Sequence, residues 1–229
     1  MKLAKVLFPL NNTGYGKNML RECREHGYFR GEDCSICGEE GKFLASDSEL
    51  NNLGRLMAGV LRHFPERFGL NMDDHGWVDM REFIQAVQLR RKDLHWLRPH
   101  HLQAVIETDL KGRYQFKNGT IRATYGHSFD VDLELPSDNI PDILFYPTTE
   151  EEVDILLETG IRPSDRKKVH LSKTFDDAET AGKHRVEMPI ILSIDAKKAI
   201  ETGIIIQRAC KTVYVTDLIP SDYIKKSEK

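Results

Sequence analysis

The chain has 229 residues, of which 40% are hydrophobic and 30% charged, and a formal net charge of −3. It is too apolar to be disordered and long enough for one large or two small domains plus an appendage. No apolar run approaches the roughly 18 residues of a membrane span, which excludes an integral membrane protein. The charge excludes a generally cationic nucleic-acid binder, so any such contact must come from a local basic patch.

The opening stretch Met1–Pro9 is too short and too interrupted to read as a signal peptide. Of the four cysteines, Cys23, Cys34 and Cys37 cluster while Cys210 stands alone, which reads as a buried core thiol. That usage suits a reducing cytoplasm better than a secreted disulfide framework. The first block, residues 1–45, is rich in Gly, charge and Cys. Cys23-Arg24-Glu25-His26 and Cys34-Ser35-Ile36-Cys37 place two ligand pairs, each two residues apart, as tetrahedral zinc takes them. Four protein ligands leave no open position, so the zinc is expected to be structural; the alternative is free thiols with a chance histidine. The block is too small to fold on its own core, so metal should supply its folding energy. Metal loss is then expected to unfold it and leave residue 48 onward folded.

The second block, 46–130, reads as three helices and a hairpin. Asp47 or Ser48 can cap a helix carrying Leu50, Leu53, Met57, Val60 and Leu61, which Pro65 ends soon after Arg62-His63. Asp79 caps a second helix with Phe83, Ile84 and Val87. Pro99 suits the first turn of a third with Leu102, Val105 and Ile106. Runs 113–116 and 120–124 flank Asn118-Gly119, a strong hairpin signal. This is the order of a winged-helix domain. The third block, 131–229, follows a Pro-bearing connection and alternates strand and helix. Strands are predicted at 143–146, 169–172, 190–194, 204–207 and 212–215. A helix capped by Thr148 or Thr149 should stop at Gly160, another runs from 175 to 184, and a third reaches Gly203. The fold class is α+β.

Arg62-His63, Arg113, Arg122 and Arg166 lie near predicted element ends. Guanidinium forks suit phosphate bidentately, and several aimed at one point would stabilise developing charge. Trp77 reads as packing. Trp96 with His95, Arg98, His100 and His101 reads either as a solvated helix start or as a phosphate-contacting face.

The motifs Leu61-Arg62-His63 with Pro65, Gly76-Trp77-Val78, Lys111-Gly112-Arg113-Tyr114, Ile121-Arg122-Ala123 with Gly126-His127-Ser128, and Val169-His170-Leu171-Ser172 occur together in this order. On them the chain resembles the RNA 2′-phosphotransferase (tRNA 2′-phosphotransferase) family over about residues 48–223. The Cys/His block resembles an extension of archaeal members. The resemblance implies a winged-helix-like lobe that holds RNA and an ADP-ribosyltransferase-like lobe that holds NAD⁺. It implies NAD⁺-dependent removal of an internal 2′-phosphate from RNA, of the tRNA splice-junction type. The phosphate first displaces nicotinamide to give ADP-ribosylated RNA. A ribose hydroxyl then attacks phosphorus and releases ADP-ribose 1″,2″-cyclic phosphate. The family's catalytic set falls on Arg62, His63, Arg113 and Arg166, and its NAD⁺ contacts on His127, Ser128, Thr148, His170 and Ser172. Arg122 could touch RNA or NAD⁺ phosphates or simply support the hairpin. A cytoplasmic monomer is expected. One departure stands out: Tyr146-Pro147-Thr148 replaces a common His-Gly-Thr, and Pro147 removes a backbone donor. The rival readings are a non-catalytic zinc-containing RNA-binding protein and an ADP-ribosyltransferase acting on nucleic-acid phosphate ends.

Overall fold

The computed structural model describes residues 18–227. Met1–Pro9, read above for a signal peptide, and the first 17 residues of the 1–45 block lie outside the described residues.

The described chain starts with a small antiparallel sheet, order β2-β1-β3, built from β1 (Leu20–Cys23), β2 (Gly27–Arg30) and β3 (Lys42–Ala45). Gly41 enters β3 with φ +70, and a Cβ there would lie 2.8 Å from the Phe29 ring and 2.9 Å from the Glu22 carbonyl oxygen. Only glycine fits that approach.

Next comes α1 (Asp47–Arg62), which buries Leu50, Leu53, Met57, Val60 and Leu61 at helical spacing. Its cap is Ser46, not Asp47 or Ser48. Ser46 and Glu49 form a reciprocal capping box, the side chain of each receiving the other's backbone N–H. Ser46→Ala is expected to cost about 1 kcal/mol, read as a lower urea midpoint at unchanged slope. Pro65 opens a 3-10 turn (Pro65–Phe68) rather than merely stopping the helix. The two-residue β4 (Val78–Asp79) was not foreseen, since a strand this short exists only through its pairing with β6 (Thr120–Ala123). Asp79 caps α2 (Met80–Arg90) by accepting the N–H groups of Arg81 and Glu82. Pro99 opens α3 (Pro99–Glu107) as expected. β5 (Tyr114–Lys117) turns into β6 at Asn118 (φ 51) and Gly119 (φ 82), the two left-handed residues of a type I′ hairpin.

The remaining chain forms a six-stranded sheet, order β10-β11-β8-β7-β9-β12, in which every neighbouring pair is antiparallel. Its strands are β7 (Ile143–Thr148), β8 (Val169–Ser172), β9 (Ile190–Asp195), β10 (Gln207–Arg208), β11 (Val213–Thr216) and β12 (Ile224–Lys226). Three short helices connect them: α4 (Val153–Thr159), α5 (Phe175–Gly182) and α6 (Ala196–Glu201). The predicted strand 204–207 shrinks to Gln207–Arg208, since Ile206 goes into the core instead of extending the edge. Neither Thr148 nor Thr149 caps α4 through its side chain. Thr148 ends β7, and the helix begins only after Glu152. Gly160 does end α4, with φ +85 and a Cβ position 2.5 Å from the Ile219 carbonyl oxygen.

The mixed α/β architecture matches the expected class. Two hydrophobic cores organise it. One gathers residues between Leu20 and Ala123, the other residues between Leu144 and Ile224. Leu20, Leu44 and Ala45 lie in the first core with α1, α2 and α3, so the Cys/His block is not independent in packing. Arg30 fastens it further by donating from Nε to the Thr108 hydroxyl at 3.0 Å.

Candidate active site and metal centre

Cys23 ends β1, His26 sits in the β1–β2 turn, and Cys34 and Cys37 occupy the following loop. Their four ligand atoms lie within 4.8 Å of one another. Cys23 Sγ is 3.4 Å from His26 Nδ1 and 3.6 Å from Cys37 Sγ, while Cys34 Sγ is 3.7 Å from His26 Nδ1. Zn–S bonds of about 2.3 Å and Zn–N bonds of about 2.0–2.1 Å give a tetrahedron with edges of about 3.5–3.8 Å. The residues therefore fit one ion with no position left open. Backbone N–H groups of Cys37 and Ile36 hold the Cys34 thiol down to about 7, while burial and the neighbouring Cys23 and Cys34 push Cys37 up to about 11, so one thiolate forms readily and a metal must displace the other proton.

The second site forms where the two cores meet. The end of α1 presents Arg62 and His63. The Ser128 N–H donates to the Arg62 carbonyl at 3.0 Å, and its hydroxyl donates to the same oxygen at 3.4 Å. Both polar groups of Ser128 thus serve to place Arg62. The Arg62 guanidinium lies 4.5 Å from the Tyr125 ring centroid, a cation–π stack. A Cβ on Gly126 would stand 3.4 Å from Arg62 Cδ, so the bare backbone leaves room for the arginine. Arg62 Nε and Nη2 are buried and have no hydrogen-bond partner among the described residues; the same holds for His127 Nε2 and His170 Nε2. Buried polar atoms without partners are rare and point to a ligand.

Arg113 is gripped by Asp109, which accepts from Nη2 at 2.9 Å and from Nε at 3.2 Å and is itself buried. Arg113 and Arg62 both stand beside Tyr114 and Tyr125. Arg166, in the exposed loop before β8, acts electrostatically on both His63 and His170. The structure thus brings Arg62, His63, Arg113, Arg166, His127 and His170 into one neighbourhood. Ser172 shares the His170 face of β8, two residues on, and is paired with Phe145 of β7. Thr148 does not join them. Strand alternation puts it on the opposite face from Ser172, and its hydroxyl donates to Glu152 at 3.3 Å.

Arg122 is buried and committed. It donates to Gln115 at 2.7 Å and to the His75 carbonyl at 2.9 Å, and lies 4.4 Å from the Trp77 ring centroid. Of its three readings, hairpin support is the one its contacts favour. His101 likewise belongs to a helix start, with Nδ1 accepting the Arg98 N–H at 3.0 Å. Cys210 is buried, as expected. Asp109 was missed by the sequence reading. Its signal was the Asp–Arg spacing of four, which across a turn still lets the two side chains meet.

Three imidazoles are held neutral. Burial, then the charges of Arg166 and Arg62, lowers His170 to about 3. Burial, then Arg62 and His63, lowers His127 to about 4, and burial, then His100 and Arg98, lowers His101 to about 4. Below the ordinary value of 6.5 the unfolded chain therefore binds protons that the folded chain refuses. Stability is fully present above pH 6.5 and falls as the pH drops from there toward 4. The expected slope is up to three protons, about 1.4 kcal/mol each per pH unit. Urea midpoints across this window check it, and a flat profile would show that these rings titrate normally.

A cluster of guanidinium groups around neutral imidazoles, with buried polar atoms left unpartnered among the described residues, makes a site that can hold an anion. Comparison with known proteins makes the class specific. Residues 48–218 match the family described as RNA 2′-phosphotransferase, Tpt1 / KptA family. A protein of Methanosarcina barkeri, named a probable RNA 2′-phosphotransferase, is 43% identical over 206 residues, 90% of this chain and 98% of that protein. Probable RNA 2′-phosphotransferase 1 of Archaeoglobus fulgidus is 42% identical over 90% of this chain and 94% of its own. The Thermoplasma volcanium protein of the same description is 39% identical over 92% and 88%. The chain belongs to the RNA 2′-phosphotransferase family and is a transferase.

Proposed function

We propose that this enzyme removes an internal 2′-phosphate from RNA at the expense of NAD⁺, with tRNA as the natural substrate class. Arg62, His63, Arg113 and Arg166 carry the chemistry in this reading. The observation that bears most weight is the Arg62 guanidinium, buried with two nitrogens unpartnered beside imidazoles kept neutral. NAD⁺ is a substrate here and supplies an anomeric carbon activated by a good leaving group.

Each residue then has a task. The three arginines hold the phosphate dianion in line and later spread the charge of the phosphoryl transition state. Asp109 fixes Arg113 in one orientation. His127, His170 and Ser172 are the NAD⁺ contacts, and the two unpartnered ring nitrogens suit ribose hydroxyls. Ser128 places Arg62, and Thr148 is left out of the binding set. Burial and the charges of Arg62 and Arg166 lower His63, so near neutral pH it is a free base able to take a proton from an attacking ribose hydroxyl. Turnover should therefore hold constant down to below pH 6.5 and fall on the acid side. His63→Ala should abolish that acid limb in a kcat–pH profile, and a limb that survives would remove His63 as the base.

Residues 1–45, 46–130 and 131–229 make up its three parts. The helix–strand–helix–helix–hairpin order, with β4 paired to β6, supports the winged-helix-like reading of the second. The antiparallel sheet supports the ADP-ribosyltransferase-like reading of the third. Zinc is the metal that best suits three thiolates and one imidazole. A cytoplasmic monomer completes the proposal. Tyr146-Pro147 is compatible with it, because Pro147 packs against Gly182 in the fold. Tyr146, whose phenol is pushed up by burial and then by Glu152, stands in the field of Arg166.

The test is a short RNA with one labelled internal 2′-phosphate, incubated with and without NAD⁺, its products identified by mass. NAD⁺-dependent transfer of the label to ADP-ribose cyclic phosphate is expected. Arrest at ADP-ribosylated RNA would favour the ADP-ribosyltransferase reading. RNA binding without reaction would favour the non-catalytic one.

A further inference from the structure

Two cavities flank the connection between the cores and share Glu134 and Leu135. The first, about 580 Å³, contains the unpartnered His127 and His170. It carries five carboxylates, Asp74, Asp130, Asp132, Glu134 and Asp217, against Lys167 and Lys168. Both lysines are spent, Lys167 on Asp130 at 3.2 Å and Lys168 on Asp217 at 2.6 Å. That wall repels a polyanion. The second, about 940 Å³ and open, has the reverse sign: Lys173, Lys211, Arg208 and Arg122 against Glu134, with Arg208 paired to Asp138 at 3.5 Å and Arg122 held by Gln115 and the His75 carbonyl, so its free charge comes from the lysines.

The cationic cavity starts at Gly112, the residue before Arg113. Its lysines are gathered there by backbone contacts, one across the two halves of the chain and one within the second. The Lys211 N–H donates to the Lys111 carbonyl at 3.3 Å, and the Lys173 N–H donates to the Thr212 carbonyl at 2.9 Å. Lys211 Cγ is 3.9 Å from a Cβ placed on Gly112. Lys111, Lys173 and Lys211 are all exposed, and no carboxylate pairs with Lys111 or Lys211 among the described residues. Unlike Lys167 and Lys168, Lys111 and Lys211 keep their charges available to a ligand.

We propose that this groove is the path of the RNA backbone beside the reacting nucleotide, with Lys111, Lys173 and Lys211 binding its flanking phosphodiesters. The inference rests on the proposed function and adds to it a second anion subsite, distinct from the arginines that hold the 2′-phosphate. Phosphate contacts of this kind set register and affinity without reading sequence. The two halves of the chain must stay docked to form the groove, so RNA length and lobe docking are linked.

The experiment compares the full chain with Lys173→Glu/Lys211→Glu and with Lys225→Glu. Lys225→Glu is a single charge reversal on β12, at the far end of the sheet from β10. Binding of a 12-nucleotide single-stranded RNA is followed by fluorescence anisotropy at rising salt. KM is measured for the same RNA and for a dinucleotide, each with one 2′-phosphate. The double variant should weaken RNA binding at least tenfold and flatten the log Kd–log salt slope by about 0.7 per lost contact. Its KM should rise at least tenfold more on the 12-mer than on the dinucleotide. Unchanged Kd and slope, equal loss with Lys225→Glu, or equal KM increases on both substrates would each overturn the groove. Failure of the unaltered protein to turn over either RNA would count against the proposed function alone, since the binding arm still decides the groove.

Discussion

Arg62→Ala is expected to lower turnover of 2′-phosphorylated RNA by about 10²–10³-fold, the usual loss for one preorganised donor to a developing oxyanion. The reasoning starts from cost. A guanidinium buried with Nε and Nη2 unpaired is destabilising in the free protein. The fold nonetheless holds it with two bonds from Ser128 to its carbonyl, a Tyr125 ring against its face and a glycine cleared beside it. That is preorganisation, which helps most where charge builds up. In the proposed scheme charge shifts most at phosphorus in the second step, so ADP-ribosylated RNA should accumulate in Arg62→Ala; accumulation of untouched substrate alone would reverse this division of roles. Arg62→Lys should recover little, because an ammonium lacks the fork. A readout independent of activity accompanies it. Arg62 helps to lower His127 and His170, so its loss should move both imidazoles up toward 6.5 in a titration followed by NMR. Unmoved rings would mean that burial and the other nearby cations control them.

The arginine cluster also shows what the sequence could and could not carry. Arg62, His63, Arg113 and Arg166 were legible as types suited to phosphate, and family motifs ordered them. Their convergence was not legible, because it depends on docking the 165–170 segment against the end of α1, a contact more than 100 residues distant in the chain. Helices were legible where apolar spacing and a cap agreed, as in α1 and α2. The strands β1, β2, β3, β4 and β12 were not: they are as short as β5 and β6, but no turn signal such as Asn118-Gly119 marks them, and they gain their pairing from tertiary structure. Thr148 illustrates the limit from the other side. A motif match marks the residue, yet a strand's alternation decides which face it serves.

Removing the metal proposed for the Cys/His site is expected to reach well beyond that block. Residues 1–45 read, from spacing alone, as an appendage that would melt by itself. The packing argues otherwise. Leu20 and Ala45 are fully buried and Leu44 nearly so, all three in the core that also contains Phe83, Leu102 and Ile121. Once the four ligands are released, β1 has little to hold it, for β1, β2 and β3 contribute only a three-stranded sheet of four-residue strands. Exposing Leu20 and Leu44 then removes about 1.5–3 kcal/mol per side chain from the first core. For a chain of this size that lowers the main thermal transition on the order of 10 °C. The Arg30–Thr108 bond carries the disturbance to the turn that places Asp109, and through Asp109 to Arg113. Chelation, or Cys34→Ser, should therefore shift the whole melting curve down and weaken activity before the second core unfolds. Differential scanning calorimetry with metal content measured in the same samples tests this. A main transition that stays in place while only a small low-temperature event disappears would restore the independent appendage.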